Sequence, residues 1–193
     1  GAGFAKWRAV ITINDIAPTR NNIRANAHAL ARYAMLCQEA GIVPIVEPEV
    51  LMDGDNTLET CESVTAWTLQ AVFNALDLQR VLLEGMILKP NMVISGKKCP
   101  QQGDVNAVAS ATLRTLKRYV PSAVPGIAFL SGGQSDELAT AHLDAMNKLG
   151  GGPWSLTFSY GRALQAAALK AWGGKADNVP AAQKAYFHRA KMN

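Results

Sequence analysis

The sequence predicts an α/β fold with a parallel sheet, because short apolar runs alternate with segments of helical period and begin at similar intervals. Residues 7–13, 42–49, 81–89, 126–131 and 156–159 read as strands. Between them, Leu69, Val72, Phe73 and Leu76 fall at i, i+3, i+4 and i+7, and Val105, Val108, Ala109, Leu113 and Leu116 repeat the same one-sided spacing. These are helices that cover a sheet. Residues 22–40 form a third, stopped by Gly41 where a left-handed cap is expected, and 163–172 a fourth, closed by Gly173-Gly174.

The strand starts lie roughly 30 to 45 residues apart, so eight such units need about 250 to 350 residues, the size of a (β/α)8 TIM barrel. The 193 residues hold five units. The expectation is a barrel represented by its last five strand–helix units, either lacking the first three or forming one piece of a longer chain. A complete five-stranded doubly wound sheet is the alternative that length alone favours. No further repeat, low-complexity tract or linker divides the chain, so 1–193 is expected to be a single, partial barrel domain.

A hydrophobic fraction of 49% with 18% charged residues places the chain among folded globular proteins. No apolar run approaches the roughly 18 to 20 residues that cross a bilayer, and Gly1-Ala2-Gly3-Phe4 lacks the basic start and apolar core of a signal peptide. A cytoplasmic location without membrane contact is expected. Cys37, Cys61 and Cys99 have no C-x-x-C spacing, and His28, His142 and His188 form no ligand pattern, so neither disulfide, metal nor other cofactor is expected. A net charge of +4 with no basic block longer than Lys97-Lys98 argues against nucleic acid and suits an anionic small molecule.

Lys89 ends an apolar run and precedes Pro90, which cannot continue a central strand. An amine at the end of a buried strand is desolvated, which disfavours ammonium and leaves the neutral form available to attack a carbonyl. Taken alone, such a run more often ends in a lysine that snorkels to water. In Val43-Pro44-Ile45-Val46-Glu47-Pro48-Glu49 the two carboxylates are two residues apart on a strand and share a face. They can act as general acid and base, balance cations, or lie in water as loop carboxylates. Lys6 and Arg8 show the same relation on the first strand, and two cations facing two carboxylates make a polar site. After the fourth and fifth strands come Ser131-Gly132-Gly133-Gln134-Ser135 and Ser159-Tyr160-Gly161-Arg162. Glycine N–H groups, a serine hydroxyl, a helix N-terminus and an arginine fork together suit a phosphate, and the last two strands of a barrel are where phosphate commonly binds. Each turn alone is more often only a turn.

The stretches Phe4-Ala5-Lys6-Trp7-Arg8, Val43 to Glu49, Leu88-Lys89-Pro90-Asn91-Met92-Val93, Leu130 to Ser135, Phe158-Ser159-Tyr160-Gly161-Arg162-Ala163-Leu164-Gln165 and Lys170-Ala171-Trp172-Gly173-Gly174-Lys175 resemble class I fructose-1,6-bisphosphate aldolase in order and spacing. The resemblance covers essentially the whole chain. It implies a metal-independent lyase that cleaves fructose 1,6-bisphosphate reversibly to dihydroxyacetone phosphate and glyceraldehyde 3-phosphate. By similarity Lys89 forms the Schiff base, Glu47 shuttles protons and Lys6 stabilises charge at the reacting carbons. Glu49 would orient the cationic pair, Arg8 would support substrate binding, and Ser131, Gly132, Gly161 and Arg162 would hold a phosphate. A homotetramer is implied for the complete protein. The family's first three strands, with an aspartate that assists carbon–carbon cleavage and another active-site lysine, have no counterpart here, nor does its C-terminal tail, and Asn56 stands where the family usually has histidine. The competing expectation is a catalytically incomplete fragment that binds sugar phosphate or serves as a scaffold.

Overall fold

The computed structural model describes residues 1–193. The five strands are β1 (Phe4–Ile11), β2 (Val43–Val50), β3 (Ile87–Leu88), β4 (Gly126–Phe129) and β5 (Ser155–Phe158), all parallel and ordered β1-β2-β3-β4-β5. The helices are α1 (Arg20–Glu39), α2 (Leu58–Leu78), α3 (Val105–Tyr119), α4 (Asp136–Lys148), α5 (Arg162–Trp172) and α6 (Val179–Met192). Parallel neighbours joined by right-handed crossovers in unreversed order carry every crossing helix on one face. Accordingly α1 packs on α2, α2 on α3, α3 on α4 and α4 on α5. A doubly wound sheet would reverse its strand order and cover both faces. The architecture is therefore five consecutive units of a (β/α)8 barrel wall.

Strand alternation divides the side chains between the two faces. Ala9, Val46, Leu88, Ile127 and Phe129 share a core with Leu30, Leu69, Leu76, Leu116 and Met146 of the helices. Burying one such large side chain contributes roughly 1.5–3 kcal/mol, so this outer layer holds the wall together. With the helix-facing side occupied, residues at the other parity, Lys6, Arg8, Glu47 and Glu49, point to the barrel interior.

The run 81–89 differs from expectation, since only Ile87 and Leu88 pair as strand. Leu83–Gly85 is a 3-10 turn. The cause is a distant side chain: Gln38 of α1 donates from Nε2 to Leu82 O (2.8 Å) and Gly85 O (3.3 Å), while its Oε1 accepts from Leu82 N–H (2.9 Å). Those backbone groups are then unavailable to a sheet. The two paired residues, extended by the Lys89 N–H donating to Val46 O at 2.8 Å, suffice to carry Lys89 to the strand end. Ser131 and Ser159 lie just beyond β4 and β5, in the turns rather than in the strands.

Helix ends follow capping chemistry. Thr19, Thr57, Asp104 and Ser135 accept from the first turns of α1 to α4, and Gly41 and Gly173 take φ of 69° and 57° after α1 and α5. The bounds of α4 and α6 are not marked by apolar spacing. Instead α6 is fastened by Arg189, buried and donating to Ala163 O (3.2 Å), Asp136 O (2.7 Å) and Thr140 Oγ1 (2.8 Å).

Candidate active site

The register Arg8 opposite Glu47 and Lys6 opposite Ile45 brings the paired cations of β1 beside the paired acids of β2. One strand further on, β3 adds Lys89. Glu47, only 4% exposed, is the centre of the set. Its Oε2 lies 2.8 Å from Lys6 Nζ and its Oε1 3.3 Å from Lys89 Nζ. The Lys6 ammonium is an ion-pair neighbour of Oε2 and not a directed hydrogen-bond donor. Lys89 is nearly as enclosed, whereas Lys6 is half exposed.

Glu49, also buried, pairs with Arg8 instead of the lysines. The hydrogen bond from the guanidinium to Glu49 raises Arg8 above its ordinary value, against the opposing effect of burial, so it stays a cation. Two acids two residues apart thus take different partners. Asn91, within the Lys89-Pro90-Asn91 segment, ties the adjoining loops together: its Oδ1 accepts from Val50 N–H (3.0 Å) and its Nδ2 donates to Thr65 Oγ1 (3.0 Å) and Met92 O (3.1 Å). This fixes the chain leaving Lys89 against the end of β2.

The glycine-rich turn stands on the same rim. Leu130 N–H donates to Pro90 O at 3.2 Å, so Ser131 begins the turn one residue beyond the level of Lys89-Pro90. Gly132 and Gly133 adopt φ of 61° and 82°, the left-handed region that only glycine takes freely. Gln134 clamps the turn by donating from its backbone N–H (3.1 Å) and its Nε2 (2.9 Å) to Ser131 O. The Gln134 Oε1 in turn accepts from His142 Nδ1 of α4 at 2.6 Å. Burial holds the His142 pKa down, which favours the neutral ring.

Gly161 is the N-cap of α5 and carries no side-chain cap, unlike the corresponding positions of α1 to α4. Its first-turn N–H groups are left for another acceptor, and a helix N-terminus favours an anion. Arg162 follows, with no carboxylate in salt-bridge range. A side chain at Gly133 would put its Cβ 3.2 Å from Arg162 Nη2 and 2.8 Å from Lys97 Nζ. Glycine therefore leaves room between the turn and two cations. Sequence spacing did not mark Lys97, Asn91, Gln134 or His142 as site residues, because their neighbours come from other strands and loops. The signal for Gln134 and Asn91 lay in their place within the short motifs. No three His, Cys, Asp or Glu side chains converge as a metal-ligand set, and all three cysteines are free and buried.

Parallel strand–helix units with charged groups gathered along the inner face of β1 and β2 and at the carboxyl end of β3 define a barrel protein of the enzyme-bearing kind. The family model described as glycolytic, fructose-bisphosphate aldolase class-I, matches residues 1–193. The chain is 58% identical over 194 residues to a probable fructose-bisphosphate aldolase class 1 of Xanthomonas campestris, covering 100% of this chain and 58% of that protein. It is 55% identical to cytosolic fructose-bisphosphate aldolase 4 of Arabidopsis thaliana, covering 100% and 49% respectively. Its fold matches fructose-bisphosphate aldolase of Plasmodium falciparum, solved with TRAP and a small-molecule inhibitor, with a TM-score of 0.98 at 51% identity, over 100% of this chain and 56% of the other. The chain belongs to the class I fructose-bisphosphate aldolase family. It spans about half of each of these relatives' length.

Proposed function

We propose that this chain supplies the Schiff-base half of a class I fructose-bisphosphate aldolase site, acting on a ketose phosphate. The observation that carries the reading is the buried Glu47 carboxylate shared between Lys89 and Lys6. A carboxylate at 3.3 Å from an enclosed amine can accept the amine's proton and return it. The Lys89 nitrogen adds to the substrate ketone to give a carbinolamine. Glu47 then protonates its hydroxyl, water leaves and an iminium remains. When a base takes the proton from the hydroxyl of the departing aldehyde carbon, the neighbouring carbon–carbon bond breaks. Its electron pair moves into the iminium, which becomes an enamine. Lys6 lies on the far oxygen of Glu47, where its charge stabilises negative charge beside the reacting carbons.

In this reading Arg8, set by Glu49, supports substrate binding, and Ser131, Gly132, Gly161 and Arg162 receive a phosphate. The names of the relatives support fructose 1,6-bisphosphate as substrate, with dihydroxyacetone phosphate and glyceraldehyde 3-phosphate as products. A cytoplasmic place is favoured by the cytosolic relative, and no helix is long and apolar enough to cross a membrane. The continuous core of 29 buried side chains supports residues 1–193 as one structural unit. A homotetramer of the complete protein belongs to the same reading.

Borohydride reduction in the presence of dihydroxyacetone phosphate tests it, because reduction turns an imine into a stable secondary amine. Peptide mapping of the full-length protein is expected to find the adduct on Lys89. An adduct on Lys6 or Lys97 with Lys89 unmodified would overturn the assignment.

A further inference from the structure

Lys97 stands outside the lysine–carboxylate centre, yet three backbone hydrogen bonds hold its loop at the rim. Its backbone N–H donates to Met52 O (2.7 Å), the Lys98 N–H to Gly54 O (3.0 Å) and the Gly96 N–H to Asn56 O (2.8 Å). The loop after β3 is thereby laid along the loop after β2. The approach is so close that a Cβ at Gly96 would fall 2.3 Å from Gly54 O, which only glycine allows. From this base the Lys97 side chain crosses to the turn after β4. There Nζ is 2.8 Å, and Arg162 Nη2 3.2 Å, from the point where a Gly133 Cβ would be.

Two cations sharing one small space repel each other, and Arg162 has no acid to compensate it. The Lys97 ammonium has one, donating to Asp53 Oδ1 at 3.1 Å. An ammonium has three donors, so two remain after that bond. The unoccupied donors, the left-handed glycine turn and the uncapped start of α5 surround a space suited to a doubly charged oxyanion.

We propose that Lys97 is a second cationic ligand of the substrate phosphate, opposite Arg162, and that Asp53 is the positioning residue that holds it over the Ser131–Gly133 turn. The inference rests on the Schiff-base reading above, and it adds a specificity for phosphate that Arg162 alone would not supply. With one cation the site accepts an anion. With two it holds a phosphate dianion more tightly, while a neutral hydroxymethyl group gains nothing from the second charge. Because Lys97 is 41% exposed, its contribution is smaller than that of a fully buried pair.

The test is borohydride trapping on the full-length protein at increasing concentrations of dihydroxyacetone phosphate and, separately, of dihydroxyacetone. K97M is expected to raise the half-saturating concentration of the phosphorylated ketone about five- to tenfold, less than a full charge-assisted contact because the ammonium is partly exposed. The value for dihydroxyacetone and the maximal yield on Lys89 should not change. K97R should restore most of the loss, and D53N should give a smaller rise in the same direction. Equal shifts for both ketones, or no shift with K97M, would overturn the role of Lys97. Absence of any Lys89 adduct in the unaltered protein would instead overturn the Schiff-base reading, so the two failures are distinct. If K97M fails to fold, D53N read against both ketones decides the same question.

Discussion

Glu47 carries its charge in a place almost closed to water, and two ammonium groups make this tolerable. Replacing it with glutamine keeps the shape and removes the charge, leaving Lys6 and Lys89 facing each other without an acid between them. The rate of imine formation with dihydroxyacetone phosphate in E47Q is expected to fall about 10²- to 10⁴-fold, the range for loss of a positioned acid–base group. Stopped borohydride trapping measures it, and an unaltered rate would show that Glu47 is only a counterion. At Arg162 the expectation is different in kind. R162A should weaken binding of the bisphosphate by about 1.5–3 kcal/mol, roughly tenfold to a hundredfold, and leave an unphosphorylated ketose nearly unaffected. Equal losses would mark the arginine as structural. The pairs Lys6/Arg8 and Glu47/Glu49 were legible from strand parity alone, because period 2 puts i and i+2 on one face. Which acid serves which cation was not legible. It depends on the β1–β2 register and on Lys89 arriving one strand away, and neither is encoded within a short window. For the same reason Lys97 was legible only as half of the short basic block Lys97-Lys98.

At the scale of elements, α4 supports the turn that precedes it. The neutral His142 ring donates to Gln134 Oε1, and Gln134 donates to Ser131 O, so a helix sets the turn through two side chains. His142 is depressed from its ordinary 6.5 by burial, and the unfolded chain therefore binds the extra proton first as pH falls. The stability it contributes is fully present above about pH 6.5 and declines as pH drops through the depressed folded value. Denaturant unfolding between pH 7.5 and 5 should show H142Q with a flatter loss of stability than the unaltered protein. Parallel curves would exclude His142 as the cause. The elements themselves were legible where a local signal existed, as with the apolar spacing of α2 and α3 and the glycines that end α1 and α5. They were misread where a distant group intervened. Gln38 occupies the backbone of Leu82 and Gly85, and no property of residues 81–89 announces a partner more than forty positions away. The sharp turn out of α2 was equally hidden, since Arg80 and not a glycine takes the positive φ of 54° there.

At the largest scale, the sheet formed within residues 1–193 has two free edges. β1 and β5 each pair on one side only, and β1 leaves Phe4, Trp7 and Val10 well exposed along its length. A closed barrel has no such edges, and it hides the interior face that here holds Lys6 and Arg8 half in water. Unpaired strand edges with apolar side chains invite pairing with other chains. Residues 1–193 expressed alone are therefore expected to self-associate, detectable as species above monomer mass by light scattering. Cleavage should fail in the same preparation for a separate reason. Imine formation needs an approachable ketone beside Lys89 and Glu47, both present on this wall, whereas bond breaking also needs a base for the departing hydroxyl, and Glu47 already serves the nitrogen end. Trapping is thus expected to survive where turnover does not. The decisive comparison is a fructose 1,6-bisphosphate cleavage assay on the 193-residue chain beside the same chain completed with three upstream strand–helix units. Activity restored on completion supports the open-wall reading; full activity from the short chain, as a monodisperse monomer, would show that the five units already form the whole site.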